Sequence, residues 1–193
     1  MMKMMSIAWA AALIAVASSG SAMAAGQSPA YVGADVGARI NGNDSPIYRA
    51  YAGYNVGSTA WLDLEQVHAL ELMVFTSHAN TAKYVLDDGF VFGDERIRTK
   101  GIGINWTTST KLSDNWSLTS RLGANHTWST VRYRYETSDS SYQRTSVTAG
   151  VGLAYKLAPH VSLTVDMTYM PIRITPYIEK TAPILGTGLR YDF

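Results

Sequence analysis

The chain has 193 residues, with 16 basic and 15 acidic side chains and no cysteine. Its length suits one domain. The near-neutral balance excludes the basic excess that nucleic-acid binding calls for, and the lack of thiols excludes disulfides and cysteine-held metals.

The first 24 residues read as a processing segment. Lys3 supplies a positive start, Ile7 to Val16 a short apolar run, and Ala22-Met23-Ala24 a small-x-small cleavage site. The apolar run is too short to span a membrane as a helix. Cleavage after Ala24 removes one lysine and leaves a formally neutral mature chain of residues 25–193.

From there the chain alternates with a period of two, the repeat of an extended strand. Tyr31 to Arg39 places Val32, Ala34, Val36 and Ala38 on one face and Gly33, Asp35, Gly37 and Arg39 on the other. A turn-rich run, Asn41 to Pro46, leads to a second strand, Ile47 to Val56. Gly57-Ser-Thr59 reads as the next turn. Trp61 to Phe75 is ambiguous, because Leu64, Val67, His68 and Glu71 also obey helical spacing. Its position between strands favours a strand. Thr76 to Glu95 reads as a long polar loop. Strands follow over Arg96 to Lys111, Trp116 to about Tyr135, Gln143 to Leu157, and Val161 to Met170. The last strand, Ile184 to Phe193, sets Leu185, Thr187, Leu189, Tyr191 and Phe193 against Gly186, Gly188, Arg190 and Asp192.

The expectation is an all-β fold: eight antiparallel strands in an up-and-down transmembrane barrel, with longer links after odd strands and short turns after even ones. A soluble sandwich or lipocalin would hide its apolar face and wet the other. Here the minor face is rich in Gly and charge and poor in bulk, which suits a narrow lumen. In its strand rhythm, its Gly-rich sixth strand and its Tyr-Asp-Phe end, the chain resembles the OmpA/OmpX-type family of outer-membrane barrels, in its barrel-only form. That resemblance implies a bacterial outer-membrane location and contact with membrane lipid and lipopolysaccharide. It also implies recognition of Leu189, Tyr191 and Phe193 by the barrel assembly machinery.

The minor face carries Asp35, Arg49, Glu65, Arg121, Lys156, Asp166 and Arg190. Buried charges of both signs are tolerable only when paired, so these are expected to form a plug across the lumen. Tyr31, Tyr54, Trp61, Trp116, Tyr155, Tyr191 and Phe193 are expected to form an aromatic girdle at one rim, with Tyr48, Trp128 and Tyr169 towards the other. The alternation in Arg132-Tyr-Arg-Tyr135 reads as a strand continuing above the membrane in preference to a phosphate site. Recognition is expected in the loops. A monomer without cofactor or metal is expected, in an envelope-integrity or adhesin-like role; the alternative is a narrow pore for ions or small hydrophobic solutes. A lipid A-modifying enzyme ranks last: Ser77 and His78 are adjacent and so point to opposite faces, and His68, His126 and His160 lack metal-ligand spacing.

Overall fold

A computed structural model describes residues 29–40, 46–80, 84–85, 91–92, 96–132, 140–173 and 179–193. The expected leader and its cleavage site lie outside them. Eight strands close into one antiparallel barrel: β1 (Ala30–Arg39), β2 (Ile47–Trp61), β3 (Leu64–Asn80), β4 (Arg96–Lys111), β5 (Trp116–Arg132), β6 (Ser140–Ala158), β7 (Val161–Tyr169) and β8 (Ile184–Asp192). Each strand pairs with its sequence neighbours, and β1 pairs with β8 from Tyr31↔Asp192 to Arg39↔Ile184. Two small ladders, Tyr84–Val85 with Val91–Phe92 and Ile172–Arg173 with Glu179–Lys180, lie between barrel strands.

The alternation sorts the two faces in the sense expected of lipid. Leu72, Ile104, Leu122, Val147, Val165 and Leu189 stand outward and exposed, whereas Asp35, Arg49, Glu71, Asn105, Asn125 and Asp166 are buried inside. Such a wall in water would forfeit about 25 cal/mol for each Å² of apolar surface left wet, so the fold is stable only with hydrocarbon around it. No helix among the described residues is long and apolar enough to cross a membrane; the crossing is made by strands.

Residues Trp61 to Phe75 do not form a helix; they are divided between the end of β2, a turn and β3. Several expected boundaries move. Gly57-Ser-Thr59 is not a turn but part of β2, which passes a bulge between Asn55 and Gly57 and pairs with β3 as far as Trp61↔Leu64. The true turn is Leu62-Asp63, where both residues have positive φ (51° and 61°). A two-residue hairpin loop of the right twist demands that backbone even from side chains that resist it. Thr76 to Asn80, read as loop, continue β3 against Arg96 to Lys100.

The strained turn supports a first prediction. Leu62 is 73% exposed and loses no packing when replaced. Leu62→Asn with Asp63→Gly is expected to stabilise the barrel by about 1 kcal/mol by removing left-handed strain. A urea midpoint that stays put or falls, measured in phospholipid vesicles, contradicts it.

Strand lengths differ around the wall. β3, β4, β5 and β6 have 17, 16, 17 and 19 residues, while β1, β7 and β8 have 10, 9 and 9. About 9–11 residues cross a bilayer, so one side of the barrel stands taller than its membrane requires.

Candidate functional site: the barrel lumen

The lumen is filled in layers, beginning at the end that carries the chain terminus. Arg190 on β8 donates from Nε to Asp192 Oδ1 at 2.9 Å, and its guanidinium lies 3.9 Å from the centre of the Tyr31 ring. Tyr31 donates from its hydroxyl to Glu71 Oε2 at 3.0 Å and sits 3.1 Å from Thr107 Oγ1. Asn105 Nδ2 donates to Glu71 Oε1 at 3.1 Å, and Arg121 Nε lies 3.2 Å from the same oxygen.

Next comes a cluster that ties three strands together. Arg49 on β2 donates from Nε to Asp35 Oδ1 on β1 at 2.6 Å. It also donates from Nη2 to Asp166 on β7 at 2.7 and 2.9 Å, and from Nη1 to Thr168 Oγ1 at 2.9 Å. Thr168 Oγ1 in turn donates to Asp166 Oδ1 at 2.8 Å. Arg121 Nη1 stands 3.8 Å from Asp166 Oδ2, joining this layer to Glu71. Charge-assisted bonds of this length are roughly twice as strong as neutral ones, and here they meet nearly every donor of one guanidinium. A space beside them of about 10 Å³, lined by Arg49, Glu71, Asn105 and Arg121 among others, is about one water in size.

Towards the opposite end, where the longer links lie, the filling turns apolar. Ile47, Met73, Phe75, Met170, Ile172 and Ile184 form one buried cluster with Tyr51 and Tyr31. Met170 to Ile172 follow β7 and fold back into the mouth, where Met170 is fully buried. Arg39 Nη2 donates to the Met170 carbonyl at 3.3 Å, Arg39 Nη1 to the Ala182 carbonyl at 2.7 Å, and Ser146 Oγ to the Pro171 carbonyl at 3.0 Å. These bonds hold the inturned segment.

Lumen glycines make room for these side chains. Tyr31 faces Gly53 and Tyr51 faces Gly33 across the β1–β2 ladder, and a Cβ on either glycine would meet the facing ring at 2.1 or 2.3 Å.

The structure brings Asp35, Arg49, Arg121 and Asp166 together, with Arg190 on the same face at the terminal mouth. Three expectations are corrected. Glu65 lies in the part of the β2–β3 hairpin that overhangs the wall, beyond the first β3–β4 pair, and is exposed. Lys156 is exposed beside a bulge between Lys156 and Ala158, where the ladder shifts. Tyr31 is not a girdle residue: the parity that buries Asp35 also turns it inward, to 3% exposure. The other girdle residues, Tyr54, Trp61, Trp116, Tyr155, Tyr191 and Phe193, are outward or at the rim. Trp116 lies 4.9 Å from Tyr155 and Tyr191 lies 5.3 Å from Phe193 between ring centres.

Glu71 was absent from the expected charge cluster, although it shares parity with Ala69, Met73 and Phe75. Ser77 and His78 take opposite faces of β3. His68 binds Thr59 and Thr108, His126 binds Thr145, and His160 binds the Asp192 carbonyl. Residues 133–135, the rest of the Arg-Tyr run after Arg132, lie outside the described residues.

A closed cylinder of eight strands, greasy outside and filled inside, defines an integral membrane barrel. The family model described as outer membrane protein beta-barrel domain matches residues 9–193, and the chain belongs to that family, which places it in the bacterial outer membrane. No curated protein matches the chain by sequence. Among solved structures, the fold is similar to the N-terminal β-barrel domain of Pseudomonas aeruginosa OprF (TM-score 0.56, 13% identity, covering 87% of this chain and 99% of that one). It is similar also to Ail, the attachment invasion locus protein of Yersinia pestis (0.51, 14%, 86% and 99%), and to Neisserial surface protein A (0.50, 20%, 86% and 98%). At these identities the likeness is one of fold.

Proposed function

We propose that this protein is a non-enzymatic, non-conducting barrel that supports the envelope and presents its loop end to the surroundings. The observation that carries the reading is the double closure of the lumen: an ion-paired layer around Arg49 and an apolar layer around Met170 and Ile172. An eight-stranded barrel has little space beyond its own side chains, and here both layers fill it. The tall wall of β3 to β6 supports the surface-facing part, since strands longer than the bilayer lift their connections clear of it. Resemblance in fold to an attachment protein agrees with that role. Leu189, Tyr191 and Phe193 all stand outward at the terminal end, available to the assembly machinery during insertion.

A second reading, a path that opens when ion pairs exchange, draws on Arg121, which stands between Glu71 at 3.2 Å and Asp166 at 3.8 Å. Planar-bilayer recording separates the two. The wild type is expected to show no steady single-channel conductance at neutral pH, and steady conductance refutes the closed-lumen reading. Arg39→Ala, which removes two of the three hydrogen bonds on the inturned segment, is expected to remain silent because the ionic layer still blocks the path.

A further inference from the structure

The ion-paired layer of the lumen is one positive charge short. Asp35, Arg49, Asp166, Arg121 and Glu71 form a chain of alternating sign, with contacts of 2.6, 2.7, 3.8 and 3.2 Å along it. Three carboxylates share two guanidiniums, an excess of one negative charge. Asp35, Arg49, Glu71 and Asp166 are between 1% and 8% exposed. An uncompensated charge at that depth is strongly unfavourable.

Two further arginines of the lumen are committed elsewhere. Arg190 binds Asp192 at the terminal mouth, a balanced pair. Arg39 donates to the Met170 and Ala182 carbonyls and stands four residues, about 13 Å, further along β1. Asp35 faces Arg49 on β2 and Gly188 on β8 across its two ladders, and the charged groups that act on it are Arg49, Asp166 and Arg121.

Hydrogen-bond donors are not shared evenly among the three carboxyls. Glu71 Oε1 accepts from Asn105 Nδ2 at 3.1 Å and Arg121 Nε at 3.2 Å, and Oε2 accepts from the Tyr31 hydroxyl at 3.0 Å. Asp166 Oδ1 accepts from Arg49 Nη2 at 2.7 Å and Thr168 Oγ1 at 2.8 Å, and Oδ2 from Arg49 Nη2 at 2.9 Å. Asp35 Oδ1 accepts from Arg49 Nε at 2.6 Å, and among the described residues no donor reaches Oδ2. Donors to both oxygens favour the charged form of a carboxyl, and a bare oxygen inside a wall does not.

We infer that the lumen holds one proton on Asp35, taken from solvent as the wall closes, so that Asp35 is a neutral acid in the folded barrel. Asp166 and Glu71 then stand as two carboxylates against Arg49 and Arg121, and the layer is neutral. Arg49 Nε still donates to Oδ1, and the new O–H lies on Oδ2. An alkali ion fits less well. The space that Asp35 lines, about 10 Å³, is flanked by Arg49 and Arg121, so a metal cation would sit against like charge. One water in that space accepts the O–H; Tyr51 Oη and Asn105 Oδ1, on two more of its lining residues, are buried without a partner.

Infrared spectroscopy of the full mature barrel, refolded in an ester-free detergent at neutral pH, tests the assignment. The wild type is expected to show the carbonyl band of one protonated carboxyl per barrel. That band is expected to shift when the aspartate side-chain carboxyl carries an isotope label, and to stay when glutamate carries it. Asp35→Asn leaves two carboxylates for two guanidiniums, so it is expected to lose the band and to keep or raise the urea midpoint. Asp166→Asn, which abandons the oxygens that Arg49 grips, is expected to lower the midpoint. A wild type without an acid band, a band that follows the glutamate label, or a band that survives Asp35→Asn overturns the assignment. So does a wild-type midpoint that falls when sodium is replaced by a bulky organic cation at constant ionic strength, which makes the missing charge a metal ion. Heat-modifiable gel mobility reports whether Asp35→Asn folds; if it does not, the label shifts of the wild type decide alone.

Discussion

Arg49→Met is expected to destabilise the barrel by about 3–5 kcal/mol, the range for removing one member of a buried, hydrogen-bonded charge cluster. Arg49 is 4% exposed and contacts Asp35, Asp166 and Thr168 at once. Without its guanidinium, two carboxylates remain in a confined lumen, and Arg121 at 3.8 Å from Asp166 is the nearest replacement. Most of the loss is the cost of the abandoned charges. Removing those as well, in Asp35→Asn with Arg49→Met and Asp166→Asn, is therefore expected to recover more than half of it. Urea unfolding in phosphatidylcholine vesicles, followed by tryptophan fluorescence, measures both. If the triple variant is no more stable than the single one, the charge-cluster account fails.

Gly188→Ala is expected to cost the folded state outright. A methyl group there would lie 2.2 Å from the Ala34 carbonyl oxygen and 2.4 Å from Asp35 Cβ, on the seam where β8 meets β1. No rotamer relieves a collision with backbone, so the ladder itself would have to part. Gly57→Ala makes the contrast, because a methyl there meets nothing within 4 Å. The heat-modifiable band is expected to disappear for Gly188→Ala and to remain for Gly57→Ala. Normal refolding of Gly188→Ala would show that the seam is looser than it looks.

The fold could be read in the sequence because a barrel in lipid repeats one local rule. Each strand that carried Leu or Val on one parity and Gly, Asn or charge on the other has those parities outward and inward. Trp61 to Phe75 was ambiguous because Leu, Glu and Ala there satisfy both periods, and only closure of the sheet selects one. The turn was misread because glycine marks turns in general, whereas here Gly57 follows a bulge and Leu62-Asp63 takes the left-handed corner. Parity identified the inward charges but not their depth. Arg49 meets Asp166 although 117 positions separate them, because closure of the cylinder and the stagger of its strands bring the two to one level. Glu65 and Lys156 share inward parity but run past the end of the cylinder, where facing inward no longer means being enclosed.

The same cluster bears on the timing of assembly. Neighbouring strands joined by a Leu62-Asp63 corner can zip at once, whereas β1 must wait for β8, the far end of the chain, because long loops close last. Asp35 and Arg49 face each other across the β1–β2 ladder and can pair within that hairpin, but Asp166 rides on β7, so Arg49 meets its second carboxylate only when the cylinder closes. Desolvation of the cluster and neutralisation of Asp166 by Arg49 then belong to the same step, the closure of the wall.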